Sequence, residues 1–427
     1  MAAWQTLSHA RADLPMAPRA QAWEALRQRA EALLLDSDFP TLRDEDWKYT
    51  DLKPLRDHRF LPGKAMDIDL AAHVLPEAKG TRLVFVNGHF SSALSNVAAL
   101  PPGVRLRPLS AAPDAAPLLG SLASPDSVDV FANLNHSRFA DGAYLFVPQD
   151  VRVETPLHVV FATQGEEDST GLCALPRLWV ELERGAEVHL VEEHLGYGTY
   201  LTCPVAEVRL HPYASLTHER VQRDSLTAFH LSTLAARLDH SASYTCRILS
   251  LGAALSRQSP RVDMADEGAE LELNGLALLD HDQVADTHSC IDHRKPHGTT
   301  QQLHKTIVDG RARSIFNGRI HVYPGAQQTD ARQQARSLLL SELARVDAKP
   351  ELEIFADDVK CAHGAAIGQL DPEELFYLQS RGLNLATARN LLTYGFAADL
   401  LSAIPVPSLR RQLRQAVMER THADIEL

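Results

Sequence analysis

The chain has 427 residues, long enough for two or three domains or one elongated array. Hydrophobic residues make up 45% and charged residues 23%, the ordinary balance of a folded globular protein. A net charge of −13 excludes a broad nucleic-acid or anionic-membrane surface, and no apolar run approaches the ~18 residues of a membrane span. The five cysteines, Cys173, Cys203, Cys246, Cys290 and Cys361, are odd in number and scattered, with no C-x-x-C pair. That distribution suits a reducing cytoplasm, and the first twenty residues carry no apolar h-region of a secretory signal.

In chain order, AQAWEALRQRAEALLLD spaces Trp23, Leu26, Ala30 and Leu33 as one face of a helix. RDEDWKYTDLKPL follows, dense in charge and aromatics and closed by proline. Residues 1–78 are expected to form a small, mainly helical amino-terminal domain. TRLVFVNGHF then opens a strand-rich region with an Asn-Gly hairpin turn. Up to about residue 150 this region is mixed, with lead-in strands.

Beyond it the strands repeat. Ala186, Ala214, Ala242 and Ala269 recur at nearly constant spacing. Two residues after each stands an apolar side chain, Val188, Leu216, Tyr244 and Leu271; four before the first three stand Leu182, Leu210 and Leu238. VETPLHVVF looks like an earlier copy, with Leu157 in the place of Ala186 and Val159 in that of Val188. A fixed period of this size built from strands predicts a β-solenoid, in which Val188 stacks on Leu216 and Leu216 on Tyr244. A β-sandwich is the alternative, but it has no need to keep equivalent residues in step. The period loosens after Asn274, and alternation carries the solenoid to about Leu370, so that residues 79–370 form the core.

Residues 371–427 read as helices. Asp371, Pro372 and Glu374 match N-cap, N1 and N3, Gly382 a C′ stop, and Asn384 and Ser408 two further caps. These helices are expected to cover the open end of the solenoid, which would otherwise expose strand edges.

Two clusters carry chemistry. In ADDVKCAHGA, Val359, Cys361 and His363 share one strand face while Asp358, Lys360 and Ala362 share the other. The charged face is the natural solvent side, so Cys361 and His363 are expected to be at least partly buried. A thiol and an imidazole suit iron–sulfur or zinc chemistry; a small core thiol and a hydrogen-bonded core histidine are the structural alternative. As ligands they make half a site, and a second subunit is the economical source of the rest. His281, His288, His293, His297 and His304 with Cys290 form the second cluster. In a chain with 20 histidines they are expected at solvated outer positions of a coil. No phosphate loop, G-x-S-x-G elbow or dinucleotide signature occurs. In NLATARNLLTYGFAADLLSAI, Leu385, Leu392, Phe396 and Leu400 form a stripe with Tyr394 beside it. It suits packing within the helices or a docked partner.

RDEDWKYTDL, KTIVDGRARSIFNGRIHV and the run from QQTDARQQARSLLL through KPELEIFADDVKCAHGAAIGQL to LFYLQSRGL together resemble the SufD family of the SUF iron–sulfur assembly scaffold. The WKYT element is shared with the sister family SufB. The resemblance implies a mainly β protein, a right-handed parallel β-helix flanked by amino- and carboxy-terminal helical domains. It implies a scaffold subunit without enzymatic activity or catalytic residues, pairing with a SufB-like paralogue through the β-helix. It also implies docking of a SufC-like ATPase through the carboxy-terminal helices, for which Leu385, Leu392, Tyr394, Phe396 and Leu400 are the candidates. A transient iron–sulfur cluster would assemble at the subunit interface, with His363 and Cys361 as this chain's candidate ligands. A reduced flavin is associated with such assembled complexes, and no cofactor is expected on the isolated chain. A SufB-like homodimer and a β-helix carbohydrate-active enzyme are the competing readings.

Overall fold

A computed structural model describes residues 23–165 and 170–420. Its centre is a parallel β-helix of about seven turns, with helices before and after it. Two sheets form its walls. One runs from Ala143–Val147 through Arg177–Leu182, Val205–Leu210, Phe229–Leu238, Leu255–Met264, Val284–His293 and Arg313–Val322 to Arg345–Ile354. The other runs from Leu157–Gln164 through Glu187–Tyr197, Ser215–Arg223, Ser243–Ser250, Glu270–Leu279, Thr299–Val308 and Asp330–Leu339 to Lys360–Gln369.

The register bears out the stacking expected from the period. Val188 pairs with Leu216, Leu216 with Tyr244 and Tyr244 with Leu271. The column continues through Thr300 and Ala331 to Cys361. In the facing sheet Leu182, Leu210 and Leu238 pair in turn and lead through Met264, His293 and Val322 to Ile354. Each buried apolar side chain of such a column contributes roughly 1.5–3 kcal/mol, and stacking lets every coil supply the next with partners.

The four alanines of the repeat are fully buried at the corner between the two walls. Each follows a residue with positive φ: Gly185, Tyr213, Ser241 and Gly268. These corner residues donate their N–H to the next coil, Tyr213 to the His240 carbonyl and Ser241 to that of Glu267. His297 and Gln328 continue the series with positive φ, followed by Gly298 and Thr329 in place of alanine. The corner series therefore continues beyond Asn274, at wider spacing and with other residues in place of alanine. The first copy is corrected: Leu157 pairs with Leu190 and Val159 with Glu192, not with Ala186 and Val188. The detour through the strand Thr170–Ala174 lengthens that coil and shifts the register.

Before the solenoid, helix α1 (Glu24–Asp36) buries Ala30 and Leu34, and Asn87 and Gly88, both at positive φ, turn the hairpin between Arg82–Val86 and His89–Phe90. The strand Arg59–Pro62 pairs with Thr170–Ala174. The WKYT element lies on the outer face of the first wall. Trp47 is buried with the Arg257 guanidinium 4.0 Å above its ring, and the Thr50 hydroxyl donates to Asp286 at 2.7 Å. Residues 1–22, in which the sequence shows no secretory h-region, lie outside the described residues.

After the solenoid come α2 (Pro372–Ser380), α3 (Leu385–Ser402) and α4 (Pro407–Arg420). Asp371 caps α2 through the Glu373 N–H, and Asn384 caps α3 through that of Thr387, as their positions predict. Their placement does not follow the expectation. Ala397, Leu400, Leu401, Ile404, Leu409 and Leu413 pack against Leu249, Leu276, Leu278, Ile307 and Leu338 on the outer flank of the second wall. Lys305 ties this contact, donating to Asp399 and to the Phe396 carbonyl at 2.8 Å. Outward apolar residues on several coils make that flank the larger surface to bury, so the helices lie along it and leave the end of the β-helix uncovered.

Candidate functional site

The uncovered end is built from the last two strands. Arg345–Ile354 and Lys360–Gln369 each pair with a strand on one side only, so both present unpaired backbone edges. Their inward side chains continue the interior columns but have no further coil to cover them. Ile354 is 40% exposed, Ile367 50% and the adjacent Phe355 60%, although inward positions one coil earlier are buried.

Cys361 and His363 sit on this rim. Cys361 closes the Val188 column and is half-buried, packed against the main core. His363 closes the column that runs from Leu157 through Leu190, His218, Cys246, Leu273, Gln302 and Gln333. His363 is exposed, where the sequence pattern predicts partial burial; it continues an inward column, but among the described residues no further coil buries it. Burial pushes the Cys361 thiol up from its usual range, with the charge of Asp330 adding to it and the Ala331 backbone opposing. At pH 7 this favours the neutral thiol, and a nearby cation would favour the thiolate.

The interior of the earlier coils is polar in part. The Glu192 carboxylate accepts from Arg220 at 2.8 Å and from His194 at 2.6 Å, and His218 Nε2 lies 3.0 Å from it, all buried. Burial alone would raise this carboxyl, but Arg220, His194 and His218 hold it well below its usual range. Sequence periodicity had no means of showing that these residues face inward together.

The histidine cluster divides. His293 and His304 are buried, not solvated, and burial pushes their imidazoles down to about 4 and about 3. Both are neutral hydrogen-bonding core residues: His293 meets the Thr300 hydroxyl at 2.9 Å and His304 the Gln302 amide at 3.2 Å. His281 and His297 are exposed at corners. His288 and Cys290 line a cavity of about 320 Å³ beneath the WKYT element, where Arg319 donates to the Cys290 thiol at 3.3 Å.

The apolar stripe of α3 divides as well. Leu400 is buried, Tyr394 and Phe396 pack on the flank, Leu392 is half-buried and Leu385 is exposed. The larger exposed apolar surface lies on α2, which buries no residue: Phe376 is 73% and Tyr377 56% exposed. Two adjacent aromatics in a well-capped helix were the available sequence signal, and they were not singled out.

Two family profiles cover this chain. One, described as SUF system FeS cluster assembly, SufBD core domain, matches residues 161–396; the other, SufBD protein N-terminal region, matches residues 4–159. The chain belongs to the SufBD family. It is 40% identical to an iron–sulfur cluster assembly SufBD family protein of Synechocystis over 92% of this chain and 90% of that protein. It is 32% identical to the iron–sulfur cluster assembly protein SufD of Escherichia coli, covering 91% and 90% of the two chains. A chloroplastic Arabidopsis thaliana protein, ABCI7, is also 32% identical, with 92% and 85% covered. These relatives make it a SufD-like member of the SufBD family and support a scaffold role. Among the described residues no helix is long and apolar enough to cross a membrane.

Proposed function

We propose that this SufD-like chain is a non-enzymatic scaffold subunit of a SUF complex and that its β-helix end lends Cys361 and His363 to a nascent iron–sulfur cluster. The observation that carries this is the uncovered end itself. A thiol and an imidazole face inward on the last coil, beside two unpaired strand edges and exposed Ile354, Phe355 and Ile367. A second β-helix meeting this end would bury those side chains, pair the edges and bring the missing ligands.

The partner is a SufB-like paralogue; a second copy of this chain offers the same edges and is the competing occupant. The exposed Phe376 and Tyr377 of α2, with Leu385 and Leu392 near by in sequence, form the docking patch for a SufC-like ATPase, which supplies the ATP hydrolysis. Leu400, Phe396 and Tyr394 serve that site indirectly, by fixing α3 on the flank. The cluster is cargo here, held in transit. No residue is assigned to the flavin.

The test is reconstitution with the paralogue and ATPase, followed by iron and sulfide analysis. His363→Ala is expected to reduce cluster yield severalfold while the complex still assembles. Undiminished yield would overturn the assignment, and a stable homodimer that excludes the paralogue would replace the partner.

A further inference from the structure

We propose that Gln333 is a positioning residue for His363. Its buried amide oxygen, without a partner in the structure, is placed to accept a hydrogen bond from one ring nitrogen when the ring turns toward it, so that the other, unprotonated nitrogen faces out of the open end. The role, though not the hydrogen bond, rests on the function proposed above.

Gln333 is 0% exposed and is the register neighbour of His363 one coil inward. Its Nε2 donates to Gln302 Oε1 at 2.8 Å. Gln302 in turn donates to the Ser289 hydroxyl at 2.8 Å and meets His304 Nε2 at 3.2 Å. With His304 Nε2 as the acceptor, Gln302 presents its oxygen to Gln333. That orientation uses the Gln333 N–H and leaves Gln333 Oε1 buried with no hydrogen-bond partner. Gly318 keeps the amide in place: a Cβ there would stand 2.5 Å from Gln333 Nε2.

A buried carbonyl oxygen without a donor is a cost that native structures rarely leave unmet. Neighbouring strands lie about 4.8 Å apart, so a histidine beside Gln333 in the column can bring a ring N–H within hydrogen-bond reach. Imidazoles that bind metals commonly donate their second nitrogen to such an oxygen, which fixes tautomer and ring orientation. The Ser289–Gln302–Gln333 ladder would thus set the direction in which His363 offers its lone pair.

The full-length chain labelled with 15N at histidine tests this, His363 being assigned by the signals lost in His363→Ala. At a pH where the ring is neutral, the wild type is expected to show one protonated and one bare nitrogen, unaveraged. Gln333→Met, matched in volume, should bring the two nitrogen shifts together. Gln333→Glu, which keeps an acceptor, should restore the split. Gln302→Met, which removes the partner that holds the Gln333 amide, should narrow the split. An averaged wild-type pattern, or one unchanged in Gln333→Met, overturns the hydrogen bond. In the reconstituted complex Gln333→Met should lower cluster yield severalfold. Should the spectra respond while neither Gln333→Met nor His363→Ala alters the yield, the hydrogen bond stands and the cluster role falls.

Discussion

Cys361 stacks on Ala331 at the end of a column that runs back to Val188, and among the described residues none stacks on Cys361 in turn. A core column that stops at a half-exposed thiol makes an accessible cysteine out of a structural position.

Alkylation should therefore sort the cysteines. In the isolated chain Cys361 and Cys290 are expected to react with maleimide while Cys173, Cys203 and Cys246, all buried, stay protected until unfolding. Cys361 should react more slowly than a free thiol at pH 7, because its raised pKa limits the thiolate. Peptide mass mapping over time reads this order. Binding of the paralogue should protect Cys361 selectively.

Removing the carboxylate of Glu192 should be costly. Glu192→Gln leaves the buried Arg220 without its counter-charge, an expected loss of about 3–5 kcal/mol in urea unfolding at pH 7. The pH dependence has a definite sign. A carboxyl whose folded pKa is depressed contributes stability above its unfolded value, near 4.5, and that contribution is lost as pH falls toward the folded value. Wild-type stability should decline below pH 4.5 more steeply than that of Glu192→Gln.

Leu271 stands mid-column between Tyr244 and Thr300 and is 3% exposed. Leu271→Ala should cost about 2–5 kcal/mol, since coils on both sides are held in register and cannot collapse into the cavity. Chemical denaturation followed by far-ultraviolet circular dichroism is the measurement.

The ATPase patch is tested by Phe376→Ala combined with Tyr377→Ala. Affinity for the ATPase by calorimetry should fall by about tenfold or more, with the melting temperature unchanged because neither ring is buried. Truncation after Gly382 is a poorer probe. It would strip α3 and α4 from the flank and expose Leu276, Leu278 and Ile307, so the β-helix itself should lose stability.

The repeat of alanines and the side chains two residues on were enough to predict stacked coils, because each coil can bury its inward row only against an equivalent row. Cap chemistry at Asp371 and Asn384 was equally local and equally legible. The histidines were not: alternation shows that His293 and His304 share faces with neighbours, but which face is interior depends on the wall opposite. Nor could any local pattern show that α3 and α4 lie along the flank, since that follows from apolar residues contributed by separate coils. The exposure of His363, and its place beside Gln333, are consequences of where the stack ends. Sequence determines the rung; the tertiary structure alone decides which rung is last, because only a missing neighbour turns a core position into a site.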